Sequence, residues 1–170
     1  MRSVGEGKRV LMVQFIKGPW KSGEDLFISK IKNQKAKIQG KNKESSDDEI
    51  PLKIIKTGRG FVGILGDSLP LKEHQRAAEE GLALARREIE SGSWDMVILD
   101  EVSNAVHLNL ISKEAVLELI SAAKNKLEHL ILTGRDAPQE FMDTADLVTE
   151  MEDVKHPFEQ GIKARRGLEY

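Results

Sequence analysis

The sequence contains no cysteine among its 170 residues. This absence excludes disulfides, thiolate zinc sites and a cysteine nucleophile together. Aromatic residues account for only 5% of the chain, and no apolar run approaches the length that spans a bilayer. The first residues also lack the apolar stretch of a secretory signal peptide. We therefore expect a cytoplasmic protein without a membrane partner.

An excess of charge of either sign is also missing. The formal net charge is −2 at pH 7, so bulk basicity gives no reason to expect a nucleic-acid partner. Hydrophobic residues make up 39% of the chain and charged residues 32%, which is typical of a globular protein with its own core. A chain of this length predicts a single domain over residues 1–170.

The most informative stretch is residues 96–101, where four apolar residues run directly into Asp100 and Glu101. A short, uninterrupted apolar run predicts a strand that is buried on both faces. Ligands bind at the carboxyl ends of such strands, so adjacent acids there indicate a Walker-B-like strand facing a magnesium nucleotide. The alternative is an ordinary strand whose acids cap the next helix. The hexamer alone leaves both interpretations open.

Further apolar runs predict the other elements of an α/β fold. We expect a helix over residues 68–90 and others after Ser112 and Pro138, because caps and apolar stripes at helical spacing occur there. A short helix is expected to begin at Asp25. Strands are predicted at residues 9–16, 51–56, 130–133 and 147–151. Strands that alternate with helices predict a mainly parallel sheet covered on both faces.

Two predicted loops lie where strands leave the sheet. Lys17 follows the first strand in a loop punctuated by glycine and proline, where it is able to meet a phosphate. An exposed tight turn has the same composition. Residues 57–66 combine four glycines with Phe61 and other apolar residues. Such a loop either folds over a flat apolar ligand or packs as a lid on the protein's own core.

Residues 30–49 differ in composition from the rest of the chain. Six lysines between Lys30 and Lys43 are followed by an acidic run. This segment has too little apolar surface to offset its ordering entropy, so we predict a mobile surface insertion. An anionic partner for the lysines is the less favoured alternative.

One short segment imitates the end of a phosphate-binding loop. Residues 5–8 read Gly-Glu-Gly-Lys, but the required spacing puts Arg2 where the first glycine belongs and Arg9 where a magnesium-binding Ser or Thr belongs. The segment also precedes a predicted strand, whereas a phosphate loop follows one. We interpret it as a turn.

Several blocks occur in a specific order along the chain. They are residues 13–18, 60–61, 94–101, 132–135, 154–158, 161–165 and 167–170. Together these blocks resemble the P-loop family of ATP:corrinoid adenosyltransferases, which attach an adenosyl group to the cobalt of a vitamin B12 precursor. The resemblance implies a P-loop NTPase-like, RecA-like fold. It covers most of the chain, and the tail is its most specific part.

The resemblance also implies a reaction. Co(I) of a corrinoid, either cobalamin or cobyrinic acid a,c-diamide, attacks the ribose 5′-carbon of ATP, and triphosphate leaves. By position, Glu101 with Asp100 holds magnesium, and Glu101 and Arg135 are the catalytic residues, with Arg135 meeting phosphate oxygens. Phe61 presses against the lower face of the corrin and displaces the axial ligand. The other implied contacts to ATP or corrinoid are Lys17, Thr133, Lys155 and His156.

Partners follow from the same resemblance. It implies a cytoplasmic homodimer that receives electrons from a donor such as a flavodoxin or reduced flavin. No nucleic acid or membrane is implied.

Two departures from the family pattern affect these expectations. The family begins with a strand, a loop of the Gly-Asn-Gly-Lys-Gly-Lys-Thr-Thr kind and a helix, whereas residues 2–8 resemble the end of that helix. We therefore expect the first strand and the phosphate loop to be missing. Val62 and Gly63 also stand where the family often has threonine and tryptophan. The alternative is a catalytically inactive, truncated homologue that binds a corrinoid or a partner chain. A generic ATPase explains neither the glycine-rich loop nor the tail.

Overall fold

The computed structural model describes residues 1–39, 51–64 and 66–165. Four strands form one sheet in the order β2-β1-β3-β4, and every neighbouring pair is parallel. The strands are β1 (Val10–Gln14), β2 (Leu52–Lys56), β3 (Met96–Asp100) and β4 (His129–Leu132). This arrangement confirms the predicted α/β class with a parallel sheet.

Helices connect and cover these strands. They are α1 (Arg2–Gly5), α2 (Gly23–Gln39), α3 (Leu71–Glu90), α4 (Val102–His107), α5 (Lys113–Ala123) and α6 (Gln139–Thr144), followed by a short 3-10 helix (Pro157–Gln160). Helix α5 begins as predicted, because the Ser112 side chain accepts a hydrogen bond from the Ala115 amide. None of the helices described is long and apolar enough to cross a membrane.

The core lies around the two central strands. Leu11 and Val13 of β1 and Leu99 of β3 are fully buried, which explains why both strands read as continuous apolar runs. Helices α3 and α5 supply further buried residues, among them Ile89 and Leu119. The central strands are thus held by the core, and the carboxyl ends of all four strands lie at the same edge of the sheet.

The predicted fifth strand is wrong. Residues 147–151 form no strand, and Leu147 and Met151 are 83% and 93% exposed. A strand requires a hydrogen-bonded neighbour, and a short segment with apolar and β-branched residues does not by itself supply one. In the part of the chain that the structure describes, β4 pairs only with β3, and residues 147–151 pair with neither.

The helix predicted to begin at Asp25 is longer than expected. It continues to Gln39, so the beginning of the predicted insertion at residues 30–49 belongs to α2. Lysine, alanine and glutamine are good helix formers, which accounts for the continuation despite the polar composition. Glu24 and Asp25 lie in its first turn, where negative charge favours a helix start. Residues 40–50 lie outside the described residues.

Candidate active site

The carboxyl ends of the four strands form one edge of the sheet because all four strands run in the same direction. The register places Gln14 of β1 beside Lys56 of β2 and Asp100 of β3. Residues that follow each strand therefore converge, although the chain separates them widely. Ligands of parallel sheets bind at this kind of edge.

Asp100 is held by the last residue of β1 and by the residue that follows β4. Its Oδ2 accepts a hydrogen bond from Nε2 of Gln14 at 2.9 Å, and its Oδ1 accepts one from Oγ1 of Thr133 at 3.0 Å. Gln14 is itself only 1% exposed. Both oxygens of this carboxylate thus have a protein donor, so its orientation is fixed before any ligand binds.

Glu101 has a different environment. Its amide donates to Oγ1 of Thr133 at 3.0 Å, and its φ is 61°, an uncommon value for a residue other than glycine. Its side chain makes no cap hydrogen bond to α4, which argues against a helix-capping role for this acid. Burial, followed by the nearby charge of Asp100, raises the pKa of the Glu101 carboxyl, while Lys17 and Arg135 act in the opposite direction.

The carboxylates of Asp100 and Glu101 fit a magnesium ion. Mg²⁺ prefers oxygen ligands and is usually held by one or two carboxylates together with substrate phosphates. Among the described residues, the Glu101 carboxylate has no hydrogen-bonding partner, and burial, followed by the charge of Asp100, raises its pKa. A cation bound there would stabilise its charged form.

The loop after β4 places Arg135 at the same edge. Gly134 has a φ of 139°, and a Cβ at this position would lie 2.6 Å from Oδ1 of Asn104. The same Asn104 oxygen accepts a hydrogen bond from the Arg135 amide at 2.9 Å. Glycine is therefore required at 134 for the close approach, and Asn104 fixes the backbone from which the Arg135 side chain extends.

Lys17 follows β1 and is paired with Glu24 at the start of α2. The distance between Nζ and Oε1 is 2.5 Å. Partial burial opposes the charged form of Lys17, but Glu24, assisted by Asp100 and Glu101, outweighs it and raises the Lys17 pKa. Hydrogen bonds from Lys17 and Ser22 lower the pKa of Glu24 to about 2. Lys17 is therefore a fully charged ammonium near the two acids.

The glycine-rich loop starts where β2 ends and is joined to the end of β1. The Gly60 amide donates to the Ile16 carbonyl at 3.0 Å. Trp20 packs on Gly60 so closely that a Cβ there would lie 2.5 Å from its ring. Phe61 follows directly and is 50% exposed, so its side chain is not part of the core.

The structure does not bring every predicted site residue together. It gathers Asp100, Glu101, Thr133, Lys17 and Arg135 at one edge. Lys155 and His156 lie on the exposed tail, where Nδ1 of His156 accepts a hydrogen bond from the Phe158 amide at 3.1 Å. Within the described ranges, neither tail residue has a hydrogen bond or ion pair to the residues at the edge.

Sequence reasoning did not select two residues of this site, Gln14 and Asn104. A signal for Gln14 was present, since a polar residue interrupts an otherwise apolar buried strand. Asn104 gave no comparable signal, because an asparagine near a helix start is common. Its contact with the Arg135 loop depends on the fold.

Comparisons with known proteins identify the family of this chain. A family model described as ATP:corrinoid adenosyltransferase BtuR/CobO/CobP matches residues 1–170. A corrinoid adenosyltransferase of Sinorhizobium sp is 32% identical over 170 residues, covering 99% of this chain and 70% of that protein. The corrinoid adenosyltransferase of Escherichia coli (strain K12) is 29% identical and is covered to 74%. The chain therefore belongs to the ATP:corrinoid adenosyltransferase family, as its ordered sequence blocks predicted.

Proposed function

We propose that this chain transfers the 5′-deoxyadenosyl group of ATP to the Co(I) of a corrinoid and releases triphosphate. The observation that carries this proposal is the partly buried Glu101 carboxylate, which lies beside fixed Asp100 and close enough to Lys17 and Arg135 to feel both charges. Two acids and two cations at one strand edge match a magnesium polyphosphate. The corrinoid substrate is cobalamin or cobyrinic acid a,c-diamide.

The two acids have distinct roles in this proposal. Glu101 is the direct magnesium ligand, because its carboxylate is free of other hydrogen bonds among the described residues. Asp100 supports it from a fixed position, since its oxygens are already held by Gln14 and Thr133. When bound, magnesium neutralises charge that develops on the triphosphate leaving group.

The cations orient the substrate. Arg135 donates in bidentate fashion to phosphate oxygens, and Lys17 adds a second positive charge on the opposite side of the acids. Thr133 supports both acids through its hydroxyl group. The nucleophile is the cobalt itself, so the protein contributes positioning, charge stabilisation and exclusion of water rather than a nucleophilic side chain.

Phe61 is proposed to contact the lower face of the corrin and to displace the axial ligand of the cobalt. Its half-exposed ring and its place after the Gly60 anchor support this role. Lys155 and His156 are proposed to contact ATP or corrinoid from the tail. The remaining elements of the proposal are a homodimer in the cytoplasm and an electron donor such as a flavodoxin or reduced flavin.

The test is an adenosylation assay with chemically reduced cobalamin and MgATP in the millimolar range, followed by the change in visible absorbance. Glu101→Gln is expected to lower the rate on the order of 100-fold, because an electrostatic contact to the leaving group is lost while the shape is kept. Glu79→Gln is a matched control, since that glutamate is exposed on α3 and, among the described residues, has no hydrogen bond or ion pair with the residues of the strand edge. Equal rates for wild type and Glu101→Gln would contradict the proposal.

A second candidate is a non-catalytic module that binds a corrinoid. It is favoured by one observation: the 170 residues contain no Gly-x-x-x-x-Gly-Lys-Ser/Thr segment. This candidate predicts corrinoid binding with no adenosylation at any ATP concentration. The assay above therefore separates the two functions.

A further inference from the structure

His74 is a buried polar residue to which the proposed mechanism gives no role. It lies near the start of α3 and is 3% exposed. Its Nε2 is 3.1 Å from Oδ2 of Asp67, whose side chain is 9% exposed. Burying an imidazole and a carboxylate is costly unless the two groups are hydrogen-bonded, so each fixes the position of the other.

Asp67 connects this histidine to the glycine-rich loop. Its Oδ2 also accepts a hydrogen bond from the Gly63 amide at 2.8 Å, and its Oδ1 accepts one from the Leu69 amide at 3.0 Å. The Gly63 amide, followed by the Leu69 amide, lowers the pKa of the Asp67 carboxyl. Since a carboxylate only accepts hydrogen bonds, Nε2 of His74 carries the proton that it donates.

These contacts fix the backbone on both sides of Phe61. Gly60 is bound to the carbonyl of Ile16, and Gly63 is bound to Asp67. Both glycines have positive φ, 109° and 70°, which other residues rarely adopt. Residues 60–63, called the arc below, therefore carry Phe61 between two anchored glycines, although the Phe61 ring is half exposed.

We infer that Asp67, itself fixed by buried His74, is a positioning residue that holds Phe61 in the orientation that receives the corrin. This inference rests on the proposed function. A glycine-rich arc loses much conformational entropy when it is ordered, and ordering it before the ligand arrives removes that cost from binding. The alternative is that Asp67 only shapes the turn before α3, with no effect on the ligand.

Two substitutions release the arc without removing Phe61. In Asp67→Asn, one neutral oxygen replaces two carboxylate oxygens, so the side chain accepts either from Gly63 and His74 or from Leu69, and at least one contact is lost while the others weaken. In His74→Phe, the ring volume is kept and the donor is removed. We expect faster amide hydrogen exchange at Gly63 in both variants and about tenfold weaker binding of Co(II) cobalamin, both measured well below the thermal midpoint of each variant, which the lost hydrogen bond also lowers.

A double-mutant cycle with Phe61→Ala distinguishes positioning from a merely structural role. If Asp67 acts through Phe61, Asp67→Asn weakens cobalamin binding in the wild-type background and has no further effect in the Phe61→Ala background. Glu79→Gln, which also removes a carboxylate charge from a neighbouring region, should leave both backgrounds unchanged. Additive losses, or an unchanged affinity in Asp67→Asn, would overturn the inference.

The same titration separates this inference from the function on which it rests. Absence of cobalamin binding by the wild-type chain would overturn the proposed function together with the inference. Wild-type binding that Phe61→Ala weakens and Asp67→Asn does not would overturn the inference alone. Unchanged exchange at Gly63 in both variants would show that Asp67 does not fix the arc, and would overturn it independently of any ligand.

Discussion

Asp100 and Glu101 are adjacent in sequence but differ in what holds them. Asp100 accepts hydrogen bonds on both oxygens, whereas Glu101 is partly buried beside a like charge and has its pKa raised. We therefore expect stability to depend mainly on Asp100 and ligand binding mainly on Glu101. A substitution at Asp100 should lower the stability of the fold, and a substitution at Glu101 should weaken the interaction with the ligand.

Asp100→Asn should therefore destabilise the fold, while Glu101→Gln should not. The asparagine amide group would face a donor from either Gln14 or Thr133, and a lost hydrogen bond to a charged group costs about 1–3 kcal/mol. Glu101→Gln removes a carboxylate whose charged form is disfavoured by burial and by Asp100, so we expect a change within about 0.5 kcal/mol. Urea denaturation measures both. Equal losses of unfolding free energy would contradict this division.

A third acid, Asp95, should contribute to the loss of unfolding free energy at low pH. Hydrogen bonds from the Arg9 guanidinium and the Arg9 amide lower its pKa to about 2. An aspartate in an unfolded chain titrates near pH 3.9, so the stabilising contribution is complete above about pH 4 and is lost as pH falls toward 2. Unfolding curves between pH 5 and 2 should show a shallower pH dependence for Asp95→Asn than for wild type. Parallel curves would contradict the assignment.

The sequence allowed prediction of the acids but not of the residues that hold them. Asp100 and Glu101 stand out because they end an apolar run. The contact between Gln14 and Asp100 joins residues 86 positions apart, and it depends on the parallel register of β1 with β3. Local pattern marks Gln14 as a polar residue in a buried strand, but it contains no information about the register, so the partner of Gln14 emerges only from the fold.

At the scale of elements, local pattern predicted the strands that have neighbours and failed for the one that does not. Residues 147–151 include the strand-favouring residues Leu147, Val148 and Thr149, yet the segment remains exposed and unpaired. Composition indicates which residues are able to pair, whereas pairing needs a second strand at the right place. The glycine-rich loop was predicted as a loop, yet it is fixed at two points. Its hydrogen bonds at Gly60 and Gly63 use backbone amides, which no sequence pattern marks.

Phe61→Ala tests the loop as an element. Because the ring is half exposed, we expect a loss of less than about 1 kcal/mol of unfolding free energy together with weaker cobalamin binding. Phe15→Ala is the matched control: Phe15 is 1% exposed, and truncation of a buried phenylalanine costs about 3–5 kcal/mol. Denaturation curves run beside a cobalamin titration give both quantities. A large stability loss in Phe61→Ala with unchanged affinity would rule out the ligand role.

The predicted insertion at residues 30–49 gives a second test at this scale. Helix α2 is tied to the sheet near its start, where Nζ of Lys56 bonds to Asp25, to the Ser22 hydroxyl and to the Trp20 carbonyl. Replacing residues 30–49 with a short Gly-Ser linker should therefore leave the thermal midpoint nearly unchanged. As a control, Lys56→Met breaks the tie at the start of α2 and should lower the midpoint. A large drop for the linker variant would show that the segment packs.

For the whole molecule, the sheet order places β4 at an edge in the part of the chain that the structure describes. The site has acids at the end of β3, an arginine after β4 and a lysine after β1. The 170 residues contain no phosphate-loop motif. Such a loop supplies a row of backbone N–H donors and a lysine to the phosphates. The acids, Lys17 and Arg135 supply charge without that cradle.

This chain should accordingly bind MgATP weakly, on the order of millimolar, because most of the phosphate contacts in P-loop proteins come from the loop itself. Isothermal titration calorimetry of the 170-residue chain measures the affinity directly. Fusing the family's opening strand, phosphate loop and helix to the amino terminus should tighten binding, whereas the same fusion with the loop lysine changed to alanine is the control and should not. Micromolar affinity in the chain alone would contradict the prediction and would mean that Lys17 and Arg135 form a substitute cradle.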